Sequence, residues 1–211
     1  ISDWEGVKNI LLTGERDNFC VLRKSYRNTV EIANFASDIL AHGAFPGYEA
    51  EPVIRHGEAV GIRQTAGRDL YREAAKICKG WQTDGFDTIA VICRDQKQAQ
   101  ETAELLQKEL PVMPWDPEKA SFEKGIMVFP VEYTKGLEFD AVLMLDPDRE
   151  SYPTDDGHAK LLYVAATRAL HRLEVLHTGN LTGLIADPIP KKNKKRVSGA
   201  KKKIVIVQNP S

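Results

Sequence analysis

Three short segments carry side chains suited to a nucleotide triphosphate. They are Ser25-Tyr26-Arg27-Asn28, Lys135-Gly136-Leu137-Glu138-Phe139-Asp140 and Tyr163-Val164-Ala165-Ala166-Thr167-Arg168-Ala169. Arg27 and Arg168 are the candidates for chemistry. A guanidinium is always charged and forks onto two phosphate oxygens at once. Phosphoryl transfer is catalysed mainly by positioning and charge neutralisation, and an arginine delivered from a separate domain is worth roughly 10³–10⁵ in rate. Tyr26 offers a flat apolar ring with a polar tip, and Glu138 a carboxylate that accepts from a hydroxyl. The chain has no G-x-x-x-x-G-K-[ST] loop to cradle phosphates. The pattern therefore points to the arginine-supplying half of a two-part ATP motor.

Each residue alone has a plainer reading. An arginine beside a helix usually makes a solvated ion pair of small value. Tyr26 could simply pack against a helix start, and Glu138 could be a solvated charge before a strand. Lys135 either contacts phosphate or ties its loop to a neighbouring acid. Asp146 resembles an acid that holds magnesium after a strand, but a loop cap is the preferred reading.

The elements that must position these groups follow from periodicity. Asn28–His42 is expected to be a helix, capped by Asn28 with Glu31 as reciprocal partner. Ile32, Phe35, Ala36, Ile39 and Leu40 fall on one face. Gly43 should end it in a left-handed conformation. Residues 44–67 read as a loop or a weak strand pair containing Val53-Ile54 and Val60-Gly61-Ile62. Further helices are expected over Asp69–Thr83, over Gln96–Leu110 until Pro111 stops it, and over Lys160–Leu170. The apolar runs Thr88–Cys93, Gly125–Val131 and Ala141–Leu145 suit strands covered on both faces. Leu173–Leu176 is a short strand, and Ile204–Val207 an edge strand. Strands alternating with helices imply an α/β fold with a mainly parallel central sheet. Ligands of such sheets gather at the carboxyl ends of strands, which places the loop after Val131 and the helix opening near Lys160 at one rim.

Composition narrows the classes. With 42% hydrophobic residues among 211, a real core forms and disorder is not the default. The net charge of −1 conceals an asymmetry. Eight basic residues crowd positions 191–203 without an acid, so 21 basic face 30 acidic residues elsewhere, a balance of about −9. The body is thus a poor match for nucleic-acid phosphates and the tail a good one, although a solvated terminus is the preferred reading of the tail. Cys20, Cys78 and Cys93 read as reduced residues of a cytoplasmic protein without disulfides. No Cys–His spacing suggests a metal site, and no apolar run suits a membrane. The initial Ile is expected of a piece cut from a longer protein.

The three segments, in this order, resemble the later motifs of superfamily 1 helicases of the UvrD/Rep/PcrA type. Leu22-Arg23-Lys24-Ser25-Tyr26-Arg27-Asn28-Thr29 resembles the L-x-x-N-Y-R-S-T motif. Lys135–Phe139 is similar to K-G-L-E-F throughout, and Leu162–Leu170 to L-x-Y-V-A-x-T-R-A. The resemblance spans about residues 19–177 and implies a RecA-like, three-layer C-terminal motor domain (2A) over 19–186. Residues 1–18 would then be a lead-in and 187–211 a basic tail. It implies that Tyr26 stacks on adenine, that Arg27 and Arg168 reach the γ-phosphate, that Gly136 approaches phosphates by its backbone, and that Glu138 bonds the ribose. ATP and Mg²⁺ would be held mainly by an N-terminal RecA-like domain absent from this sequence, leaving the isolated fragment inactive.

One departure refines the resemblance. DNA-unwinding members carry T-x-H-x-x before K-G-L-E-F, where this chain has Pro130-Val131-Glu132-Tyr133-Thr134. Proline cannot donate a backbone hydrogen bond, and a carboxylate repels phosphate. The pattern looks more like the HelD-type helicase-like ATPases that bind RNA polymerase and help release it from nucleic acid. The alternatives are a 3′–5′ DNA translocase, touching DNA through this domain or its tail, and a non-catalytic binding module working through the tail.

Overall fold

The computed structural model describes residues 28–43, 55–116 and 124–185. Tyr26, Arg27, Cys20, Val53-Ile54, the lead-in and the basic tail with Ile204–Val207 lie outside the described residues.

Six parallel strands form one sheet: β1 (Gly61–Gln64), β2 (Thr88–Cys93), β3 (Met113–Pro114), β4 (Gly125–Pro130), β5 (Phe139–Leu145) and β6 (Ala169–His177). Their spatial order is β1-β6-β5-β2-β4-β3, with every neighbouring pair parallel. The helices are α1 (Val30–His42), α2 (Leu70–Thr83), α3 (Gln96–Leu106) and α4 (Asp156–Thr167). The fold is α/β with a RecA-like arrangement, as expected.

The strands are apolar on both sides because the sheet is covered on both. Alternate residues of β2 show the division. Ala90 and Ile92 pack with α1 and α4, whereas Ile89, Val91 and Cys93 pack with α2 and α3. The same alternation runs along β5, with Val142 and Met144 on one side and Ala141, Leu143 and Leu145 on the other. Each fully buried side chain of this size contributes about 1.5–3 kcal/mol. Two half-cores welded through one sheet hold the strand ends in fixed register.

Several boundaries differ from expectation. The cap of α1 is Thr29, whose side-chain oxygen accepts from the Ile32 N–H at 3.3 Å. Glu31 turns away and accepts from His56 and the Gly57 N–H. Gly43 caps the helix end at φ −79°, which is not left-handed; its N–H reaches the Ile39 carbonyl at 3.3 Å without needing that conformation. Helix α3 stops at Leu106, and bonded turns carry the chain to Leu110. Helix α4 begins earlier and ends earlier than Lys160–Leu170, and β6 is nine residues rather than four. Asp155 sets the new start by accepting from the His158 N–H at 2.9 Å.

Candidate functional site at the amino rim of the sheet

The chain leaves β4 at Pro130 and must return to the opposite end of the sheet to enter β5. It does so through a 3₁₀ turn, Val131–Tyr133, stapled by buried Thr134, whose hydroxyl donates to the Val131 carbonyl at 2.7 Å. The Leu137 N–H then bonds the Thr134 carbonyl at 3.1 Å. Gly136, at φ +81°, takes the third position of this four-residue turn. A positive φ there, with none at Lys135, defines a type II turn, and glycine adopts it without a steric penalty. No atom lies within 4 Å of where a Gly136 Cβ would sit. Lys135 and Gly136 are exposed and Glu138 is half-buried.

Arg168 faces this turn from the end of α4. The residue is only 8% exposed. Nη1 donates to the Leu137 carbonyl at 3.0 Å, Nε to the Val164 carbonyl at 3.0 Å, and Nη2 to the Thr167 hydroxyl at 3.3 Å. Burial lowers its pKa from the ordinary arginine value, and the Glu138 charge opposes that shift. The group stays cationic, held by acceptors as a buried charge requires. One further N–H remains on each terminal nitrogen.

The backbone around Arg168 is held from outside the helix. Asn28 is 1% exposed, and its side-chain amide donates to the carbonyls of both Thr167 (3.0 Å) and Ala169 (2.5 Å). The Phe139 N–H takes the Arg168 carbonyl at 2.9 Å, and Arg55 Nη2 takes that of Leu170. The Arg55 carbonyl in turn accepts from the Val30 N–H at 2.9 Å. The last carbonyls of a helix lack intrahelical partners. Here the Thr167 carbonyl that ends α4, and those of Arg168, Ala169 and Leu170 as the chain enters β6, are satisfied by three chain stretches remote in sequence.

Lys135, Gly136, Glu138 and Arg168 therefore gather at one border, where Phe139 pairs with Ala169 at the amino ends of β5 and β6. That border is the opposite one to the carboxyl-end rim expected for parallel sheets. The loop does begin at the carboxyl end, at Val131, but Lys135, Gly136 and Glu138 lie where it finishes. Tyr26 and Arg27 lie outside the described residues; Asn28, next in sequence, is bonded on both sides of Arg168. Asn28 is a rim residue that the reading as a helix cap missed. The pattern gave one signal, since asparagine stands where the L-x-x-N-Y-R-S-T motif has serine. Arg55 carried no signal, being an isolated arginine in an irregular stretch.

Other candidates resolve as structure. Asp146, at φ +46°, accepts from the N–H and hydroxyl of Thr178 at 2.8 and 3.0 Å and so caps its loop. Cys78 and Cys93 are free and buried, and burial pushes each thiol up to about 12. Among the described residues, no cluster of three or more His, Cys, Asp or Glu could hold a metal ion, and no helix is long and apolar enough to cross a membrane.

The stretch from β4 through β6 carries the rim's turn and its arginine. Residues 125–176 match the family model of the UvrD-like helicase C-terminal domain. The UvrD-like stretch thus contains Lys135, Gly136, Glu138 and Arg168. The fold is similar to the crystal structure of the C-terminal domain of a possible DNA helicase from Lactobacillus plantarum WCFS1. The two share 24% identity over 77% of this chain and 92% of that one, with a TM-score of 0.63. No curated protein matches the chain.

Proposed function

We propose that this chain is the C-terminal half of an ATP-driven, helicase-like motor. It would present its amino rim to a nucleotide gripped by an N-terminal RecA-like lobe. The observation that carries this reading is the convergence of Gly136, Glu138 and buried, cationic Arg168 on one border, inside the UvrD-like stretch. The border fits ATP chemically. The open space over Gly136 would let backbone approach a phosphate, and Glu138 would accept from a ribose hydroxyl. Bound ATP would supply the anhydride whose hydrolysis drives movement, and Mg²⁺ would be held by the other lobe. Arg168 would neutralise phosphate charge with its remaining N–H groups. Arg27 would supply the second guanidinium and Tyr26 the adenine platform. Lys135, exposed beside the turn, would add a positive charge.

Within that class we favour a HelD-like motor that acts on RNA polymerase. Pro130 ends β4, and Glu132, in the following turn, is half-buried. A carboxylate at the position where unwinding members touch single-stranded DNA repels phosphate, and a proline there has no N–H to donate. The alternative, a 3′–5′ DNA translocase, predicts single-stranded DNA binding with a steep salt slope that survives deletion of residues 191–211. The HelD-like reading predicts weak DNA binding and co-purification of the full-length protein with RNA polymerase.

The motor reading is tested by Arg168→Ala in the full-length protein. ATP turnover should fall at least ~10²-fold, within the range of an arginine finger. Turnover near wild type would refute the assignment. The fragment alone should not hydrolyse ATP, because it lacks a phosphate-cradling loop.

A further inference from the structure

We infer that Asn28 is a positioning residue for Arg168, locking the register of the turn from which the guanidinium is presented. The inference rests on the motor reading above and deepens it.

A side-chain amide has two N–H donors on one nitrogen. Asn28 spends both on carbonyls that flank a single residue, Thr167 before Arg168 and Ala169 after it. The two oxygens can meet one nitrogen only if the chain between them folds back sharply. The bridge therefore fixes the bend that ends α4 and starts β6. Arg168 sits at the apex, with φ −73° and ψ −20°, and its own carbonyl is taken by the Phe139 N–H. The side chain is then aimed by the Leu137 carbonyl of the Gly136 turn. Asn28 thus acts on the arginine through backbone, and the Gly136 turn acts on it through the guanidinium.

A helix cap would not need this arrangement. Thr29 already caps α1, and Asn28 makes neither of its bonds to that helix. Burial at 1% makes the bridge costly to break, because two carbonyls and an amide would lose their partners away from water. The residue also follows Arg27 directly in sequence. One amide therefore ties the chain entering α1 to the backbone bearing Arg168. A catalytic group misplaced by about 1 Å can lose ~10²-fold in rate, so a residue that sets this backbone should be visible in turnover.

The test uses the full-length protein and four variants. Asn28→Asp keeps the shape and removes both donors; Asn28→Ser leaves one hydroxyl donor and adds no charge. The others are Arg168→Ala and the double variant Asn28→Asp/Arg168→Ala. ATP turnover is measured with kcat and KM separated, on samples whose folded fraction is set by thermal melting. We expect Asn28→Asp to lower kcat at least tenfold with KM within about twofold, and Asn28→Ser to fall between it and wild type. The double variant should be no more than about threefold worse than Arg168→Ala, because both changes act through one guanidinium. Loss of kcat in Asn28→Asp that multiplies fully with that of Arg168→Ala would overturn the inference. So would wild-type kcat per folded molecule in Asn28→Ser, which decides the matter if Asn28→Asp fails to fold. If Arg168→Ala itself turns over normally, the motor reading has failed instead.

Discussion

Replacing Gly136 with alanine separates the conformational demand of the turn from its contact with a ligand. At φ +81° an L-residue pays about 1–2 kcal/mol for the left-handed region. Nothing lies within 4 Å of the new Cβ, so no steric cost adds to this. Alanine also restricts the unfolded chain, which returns about 0.4–1 kcal/mol. The net loss is about 0–1.6 kcal/mol, or about 0–6 °C in Tm for a chain of this size. Gly85 is the matched control. It has φ +93° and equally open surroundings, but lies in the turn between α2 and β2, outside the Gly136 turn. Thermal melting of Gly136→Ala and Gly85→Ala should therefore show similar losses. ATP turnover by the full-length protein should fall at least tenfold for Gly136→Ala alone, because the shifted backbone no longer meets phosphate at the right distance. A Tm raised in Gly136→Ala would refute the conformational argument. Equal turnover in the two variants would refute the ligand contact.

Two further predictions concern the frame. Phe139 is fully buried with its ring centroid 5.2 Å from that of Phe129, so Phe139→Ala should cost about 3–5 kcal/mol in chemical denaturation; a loss under 1 kcal/mol would mean the site is not packed as described. The bond to the His56 side chain, then the Gly57 N–H, lowers the Glu31 carboxyl from 4.5 to about 2. The unfolded chain binds that proton first, so the stabilisation is complete above about 4.5 and is lost as pH falls towards about 2. Glu31→Gln should flatten the acid limb of Tm against pH in that window, and an unaltered limb would count against the pairing.

Strands with covered faces were the most legible feature of the sequence. Thr88–Cys93 has no polar residue after its first, and only a strand sandwiched between helices needs that. The end of α4 was illegible for the same reason. Every residue from Leu161 to Ala169 is buried, so no change in periodicity marks where helix gives way to strand. The stop comes instead from Asn28 and Phe139 taking the free carbonyls, and no local pattern carries a contact over that distance. The start was readable in principle, since Asp155 three residues before His158 is a cap signal. Lys135, Gly136 and Glu138 lie at the amino rather than the carboxyl ends because the carboxyl-end rule describes loops that stay at the rim they leave. This loop crosses the full height of the sheet before its glycine turn. The residues of the motifs were legible from type and order, whereas their supporting bonds to Leu137, Arg55 and Asn28 were not.

The bridge from Asn28 also bears on the order in which the molecule assembles. Its partners stand 139 and 141 residues further along the chain, so closing it requires the two ends of the described fold to meet. Strand pairs β2–β4 and β5–β6 close much shorter loops and can form a nucleus without it. The arginine's seat is thus a late clasp on a sheet already built. Weakening it should hasten unfolding while leaving the refolding rate almost untouched.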